Sequence, residues 1–137
     1  MGIFPQSVII HDHAKGDVVG IAMTNIDAAA TILVFFEQLK IDPKKTIDVL
    51  TTRGENELGD NRINVKAWQK VIKIANLWRL RVLDTPATMH RIFYGYHYQT
   101  QQLCVLAVVD KESYDYDDLT TEINRRIIAD WQTLFNA

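Results

Sequence analysis

The sequence predicts an α+β fold: an N-terminal strand and a helical hairpin packed on one face of an antiparallel sheet, closed by a C-terminal helix. Three observations carry this reading. Apolar residues recur at three and four over 26–39, the mark of a buried helical stripe. The runs LWRLRVL (77–83) and RIFYGYHY (91–98) alternate instead, as strands with one buried face do. LCVLAVV (103–109) is apolar at every position, as a central strand is.

The elements follow in order. The continuous apolar Val8, Ile9 and Ile10 predict a short strand over 7–11. A helix follows from Asp12, carrying Val18, Val19, Ile21, Ala22 and Met23. Thr24 or Asn25 caps a second helix over 26–40, with Ile26, Ala29, Ala30, Leu33, Phe36 and Leu39 along it. Pro43 suits the first turn of a third helix, 43–51. GENELGDN (54–61) reads as a polar loop with two turn signals, and 62–76 as extended, then helical. Strands 77–83, 91–98 and 103–109 form a three-stranded meander, joined by a hairpin connection at 84–88 and a polar turn at 99–102. Ile123, Ile127, Trp131 and Leu134 place a last helix over 118–135.

Composition bounds the class. The chain has 137 residues, 47% hydrophobic and 23% charged, which fits a single domain over 1–137 and excludes intrinsic disorder. The longest apolar run has seven residues, against the roughly 20 that cross a bilayer. MGIFPQS lacks the basic and apolar regions of a secretory signal, so the expected location is the cytoplasm, with no membrane partner. The single cysteine, Cys104, reads as a buried core thiol. Net charge is −2 overall, but residues 53–111 carry +4 and residues 112–137 carry −4. An anionic partner therefore belongs with the middle of the chain.

Strand alternation sends Trp78, Leu80 and Val82 one way and Arg79 and Arg81 the other. With neighbouring strands paired, the second face gathers Arg79, Arg81, Arg91 and His97 around Phe93. A guanidinium fork matches phosphate oxygens bidentately. The same residues also suit a solvated face whose long aliphatic stems cover the sheet. His90 and His97 are candidate proton carriers, since histidine titrates near neutrality. Tyr94, Tyr96 and Tyr98 fall on the core face. Tyr114 and Tyr116 follow the last strand, where either a proton donor or a stacking platform can sit. Lys111 ends that strand and is placed to meet a phosphate. His11 and His13 have a spacing that a metal site allows, yet no Cys or carboxylate motif completes it, so no metal ligand is assigned. The Asp115, Asp117, Asp118 run lacks the glycine and closing glutamate of an EF-hand loop.

LWRLRVL…HRIFYGYHY…LCVLAVVDK, with His11, Ala14 and Asp17 in an H-x-x-A-x-x-D start, resembles the RelE/ParE superfamily of bacterial type II toxins over roughly residues 7–131. In that family a strand with a basic L-x-x-L-R pattern leads to R-x-x-Y and then to an apolar strand ending in Lys or Arg. The resemblance implies a RelE-like domain and a metal-independent, cofactor-free endoribonuclease. Such an enzyme cleaves mRNA in a ribosome-dependent way, inhibits translation and is held by a cognate antitoxin protein. By position, Arg79, Arg81 and Arg91 would bind the RNA phosphate. Arg81, Arg91, Lys111, His97, Tyr114 and Tyr116 would form the catalytic set. Residue 112 is Glu where some active members carry a second basic residue. The resemblance also admits a ParE-like DNA gyrase inhibitor, or a non-catalytic RelE-fold interaction module.

Overall fold

The computed structural model of the protein describes residues 5–72, 75–115 and 117–135. Among these residues lie four α-helices and one six-stranded sheet. The order is β1 (Ser7–Ile10), α1 (Asp12–Ala22), α2 (Ile26–Ile41), α3 (Pro43–Leu50), β2 (Gly54–Leu58), β3 (Asn61–Ala67), β4 (Leu77–Val82), β5 (His90–His97), β6 (Gln102–Asp110) and α4 (Glu122–Phe135). A short 3-10 turn, Lys111–Ser113, follows β6.

Local chemistry accounts for the helix starts. His11 caps α1 through Nδ1, which accepts the His13 N–H at 2.9 Å. Asn25 Oδ1 accepts the Ala28 N–H at 3.0 Å to start α2, and Asp42 caps α3 ahead of Pro43. Such caps satisfy donors that the helix itself leaves open. α2 is apolar on both sides: Ala28, Ala29, Ile32, Phe35, Phe36 and Leu39 are buried, while Ile26, Leu33, Val34 and Ile41 are exposed.

The sheet order is β1-β6-β5-β4-β3-β2. Strands β2 to β6 form one antiparallel meander. β1 returns to lie parallel to β6, with Ser7 opposite Gln102 and Ile10 opposite Val105. The sheet is therefore mixed, not antiparallel throughout. β6 has a strand on each side, as its unbroken apolar run predicts.

Four further expectations are corrected. The polar loop at 54–61 is a hairpin: β2 pairs with β3, and Gly59 turns the chain at φ +59°. Glu55, Asn56 and Glu57 are strand residues because they lie on the outermost strand, where neither face needs to be fully apolar. The segment after it is extended through Ala67, with Ile63, Val65 and Ala67 alternately buried, and among the described residues of its helical part Trp68–Ile72 form turns; residues 73 and 74 lie outside the described residues. The last helix begins at Glu122, not 118. Asp118 instead accepts from the Thr120 N–H and hydroxyl, and Thr121 Oγ1 accepts the Asn124 N–H. Tyr94 and Tyr96 are buried as expected, but Tyr98, at the end of β5, is 69% exposed.

Helices cover both faces, not one. The first core holds α1, α2 and α3 against Ile63, Val65, Leu80, Val82, Ile92, Tyr94, Leu103 and Val105. Tyr94 is buried there, and its hydroxyl donates to the Leu50 carbonyl at 2.7 Å. The second core holds α4, through Ile127 and Trp131, against Leu77, Phe93, Cys104 and Leu106. Each large aliphatic or aromatic side chain so buried contributes roughly 1.5–3 kcal/mol. α4 packs over only part of this second face, and the candidate cationic residues lie beyond it.

Candidate anion-binding face

The strand registers stack the second face into rows. Asn64 lies opposite Arg81, and Lys66 opposite Arg79. Arg79 in turn lies opposite Phe93. Arg81 stands one residue beyond the Leu80–Ile92 pair, which brings it beside Arg91 at the start of β5. Asn64, Lys66, Arg79, Arg81 and Arg91 together line one depression of about 10 Å³. That volume admits little more than a single water. A nucleobase cannot be buried here, so a ligand lies across the cations. A shallow groove of about 280 Å³ continues from it past Lys66 and Arg79 to Arg53, Gly54 and Gln69.

Lys66 records the field of this face. Its ammonium is held below the ordinary lysine value of 10.5, first by the Arg79 guanidinium, then by partial desolvation, then by Arg91, Arg81 and Lys111. All the charges responsible are positive. Like charges at this spacing repel, and an anion binding among them removes the repulsion. Arg91 is 8% exposed, so its guanidinium is held by its surroundings, whereas Lys66 and Lys111 project into solvent. Lys111 is fixed at its backbone, whose N–H donates to the Met89 carbonyl at 2.8 Å.

The structure thus brings Arg79, Arg81, Arg91 and Lys111 into one field, as the sequence predicts, and adds Lys66. Lys66 falls in the stretch whose sequence starts extended, and alternation from Val65 puts it on the arginine side. What the sequence lacked was the pairing of β3 with β4.

The other candidates lie elsewhere. His97 is six residues along β5 from Arg91, roughly 20 Å at strand rise. Its ring stacks on Phe135 at 4.4 Å, and Nδ1 meets the Thr100 hydroxyl at 2.8 Å. It is a packing residue beneath α4 and not a member of the arginine cluster. His90 is buried on the opposite side of β5 from Arg91, and its Nδ1 has no hydrogen-bond partner. Phe93 is fully buried beneath Trp68 and Tyr114, with ring centroids at 5.2 and 5.0 Å. Neither Phe93 nor Trp68, itself 2% exposed, offers a free ring to a base. The Tyr114 hydroxyl donates to Asn124 Oδ1. The Asn124 amide in turn donates to the Asp115 and Asp118 carbonyls, each at 2.8 Å. Tyr114 therefore ties the 114–118 segment to α4. Tyr116 lies outside the described residues.

Chemically the face offers guanidinium donors and two exposed ammonium groups, Lys66 and Lys111, the first with a lowered proton affinity. It can hold a phosphodiester and balance added negative charge, and Lys66 can exchange a proton more readily than an ordinary lysine. No family model, curated protein or solved structure matches the chain.

Proposed function

We propose that this face grips an RNA backbone and that the protein is a toxin-like, metal-independent endoribonuclease of the RelE/ParE kind. It would act on mRNA at the ribosome and be restrained by an acidic antitoxin segment laid over the same cations. The observation that carries the reading is the convergence of Lys66, Arg79, Arg81 and Arg91 on one depression of the sheet face, with Lys111 close enough to add to their field at Lys66. Cleavage to a 2′,3′-cyclic phosphate needs the 2′-hydroxyl proton removed, the phosphorane charge balanced and the leaving 5′-oxygen protonated. Arg81 and Arg91 would balance charge, Arg79 would position the neighbouring phosphate, and Lys66 would take the 2′-hydroxyl proton. Lys111 would stand by the leaving oxygen.

A second reading draws on the placement of His97 and Tyr114, both committed to packing around α4. With those proton carriers removed from the face, a non-catalytic role also fits: a ParE-like gyrase inhibitor or an interaction module using the cations to dock an acidic surface. Primer extension on a translated mRNA, with and without ribosomes, separates the two. New 5′ ends that need ribosomes and vanish in Arg91→Ala and Lys66→Met support the nuclease. No new ends with folded wild-type protein, together with retained RNA or acidic-peptide binding, supports the module.

A further inference from the structure

A second cluster lies away from the cationic face, where the start of α1 meets α4. His11 and His13 come from the first turn of α1, with ring centroids 4.8 Å apart. Asp130 arrives from α4. Its Oδ2 lies 2.6 Å from His13 Nδ1 and 3.8 Å from His11 Nε2. One ligating atom from each residue falls within 4.8 Å of the others. Asp130 is 13% exposed and His13 is 52% exposed, so the carboxylate is largely enclosed while one side of the cluster is open to water. The sequence shows only the His-x-His half of this set; the carboxylate comes from 117 residues further along the chain.

We propose that His11, His13 and Asp130 bind one divalent transition cation of the zinc class, clipping α1 to α4. Two imidazoles and a carboxylate are the ligand set of open zinc sites, in which water completes the tetrahedron. Imidazole nitrogen selects zinc-class ions over magnesium and calcium, which prefer all-oxygen sets. The ion takes the place of the His13–Asp130 hydrogen bond. His11 joins through Nε2 once its ring proton sits on Nδ1, at the cost of the capping bond from the His13 N–H. The neighbouring charges are mixed. Arg126 Nε is 4.0 Å from Asp130, but its fork is engaged by Asp17 at 3.0 and 2.7 Å, and that carboxylate also accepts the Val108 N–H. The Arg126–Asp17 pair thus holds α4 against α1, while Arg126 Nε stays at the outer limit of ion pairing with the Asp130 carboxylate.

The test uses tag-free, chelator-treated full-length protein. Zinc chloride is titrated by calorimetry, and Tm is followed beside a magnesium chloride arm. The proposal expects one zinc per chain and a Tm rise of about 5–10 °C at a free zinc concentration about 100 times Kd. Magnesium should have no such effect. His13→Ala, at an exposed position that leaves the fold intact by circular dichroism, should lose at least tenfold in zinc affinity, and Asp130→Asn likewise. An absence of stoichiometric zinc binding by the wild type would overturn the proposal and leave a His–Asp staple only. Equal binding by His13→Ala, or an equal response to magnesium, would also overturn it.

Discussion

Lys66 stands directly across the β3–β4 ladder from Arg79, a like-charged pair on an exposed sheet face. Opposed like charges destabilise a sheet, so this pair weakens the fold that carries it. Lys66→Met should therefore stabilise the free protein, by at most about 1 kcal/mol because both groups reach solvent, while weakening its binding to single-stranded RNA. The pH dependence has a definite sign. Folding lowers the Lys66 pKa below 10.5, so between the folded and unfolded values the unfolded chain binds more protons. Raising pH through that window stabilises the fold, and lowering it restores the full repulsion. Denaturant melts should show the stability advantage of Lys66→Met shrinking as pH rises toward 10.5.

Binding to the cationic face should be steeply salt-dependent. With three to five phosphates neutralised, log K against log salt should fall with a slope of roughly −2 to −3.5 for a single strand. Arg79→Ala and Arg91→Ala should each flatten that slope by about 0.7. Fluorescence polarisation of a labelled oligoribonucleotide over a salt series reads it directly. A flat slope would count against backbone recognition.

Gly95 holds α4 in place by having no side chain. A Cβ there would stand 2.4 Å from the Trp131 ring and 2.8 Å from Leu77 Cδ2. Trp131 is buried in the second core, so its ring has little room to move aside. Gly95→Ala should destabilise by roughly 1–3 kcal/mol, as overpacking does, with a red-shifted tryptophan emission as α4 lifts. Gly16→Ala, where nothing lies within 4 Å of the new methyl, is the control and should not destabilise.

Cys104 is fully buried, and its thiol is pushed up to about 12, first by burial and then by the Asp130 charge. At pH 8 only about one thiol in ten thousand would be thiolate, the reactive form. A chromogenic disulfide reagent should leave the folded protein almost unmodified and titrate one thiol on denaturation. Prompt labelling of the native protein would contradict this burial.

The sequence made some of this visible and hid the rest for identifiable reasons. α2 and α3 were legible because Thr24 or Asn25 and then Pro43 mark their starts locally; the structure selects Asn25 and adds Asp42 as the cap of α3. β4, β5 and β6 were legible from alternation and from the apolar run through Cys104. β2 was not, because an edge strand such as Gly54–Leu58 needs few buried residues and its Glu55 and Glu57 read as loop. The side of the sheet taken by α4 was also hidden, since nothing local to Ile127 or Trp131 says which face they meet. That omission misplaced His97, which alternation correctly put on the arginine side but which α4 then covered. The Asp130 partner of His13 is a long-range contact of the same kind.

The parallel pairing of β1 with β6 sets the order in which the molecule can be completed. Ser7 leaves the ribosome long before Gln102, its neighbour in the sheet. At about 5–20 residues per second, synthesis separates the two by roughly 5–20 s. Until then β1 has no strand to join, and β5, which carries Arg91, lacks the neighbour on its β6 side. Closing so long a loop is also the slow kind of step in folding. The cationic surface is therefore finished only after β6 and Lys111, which follows it, have been made.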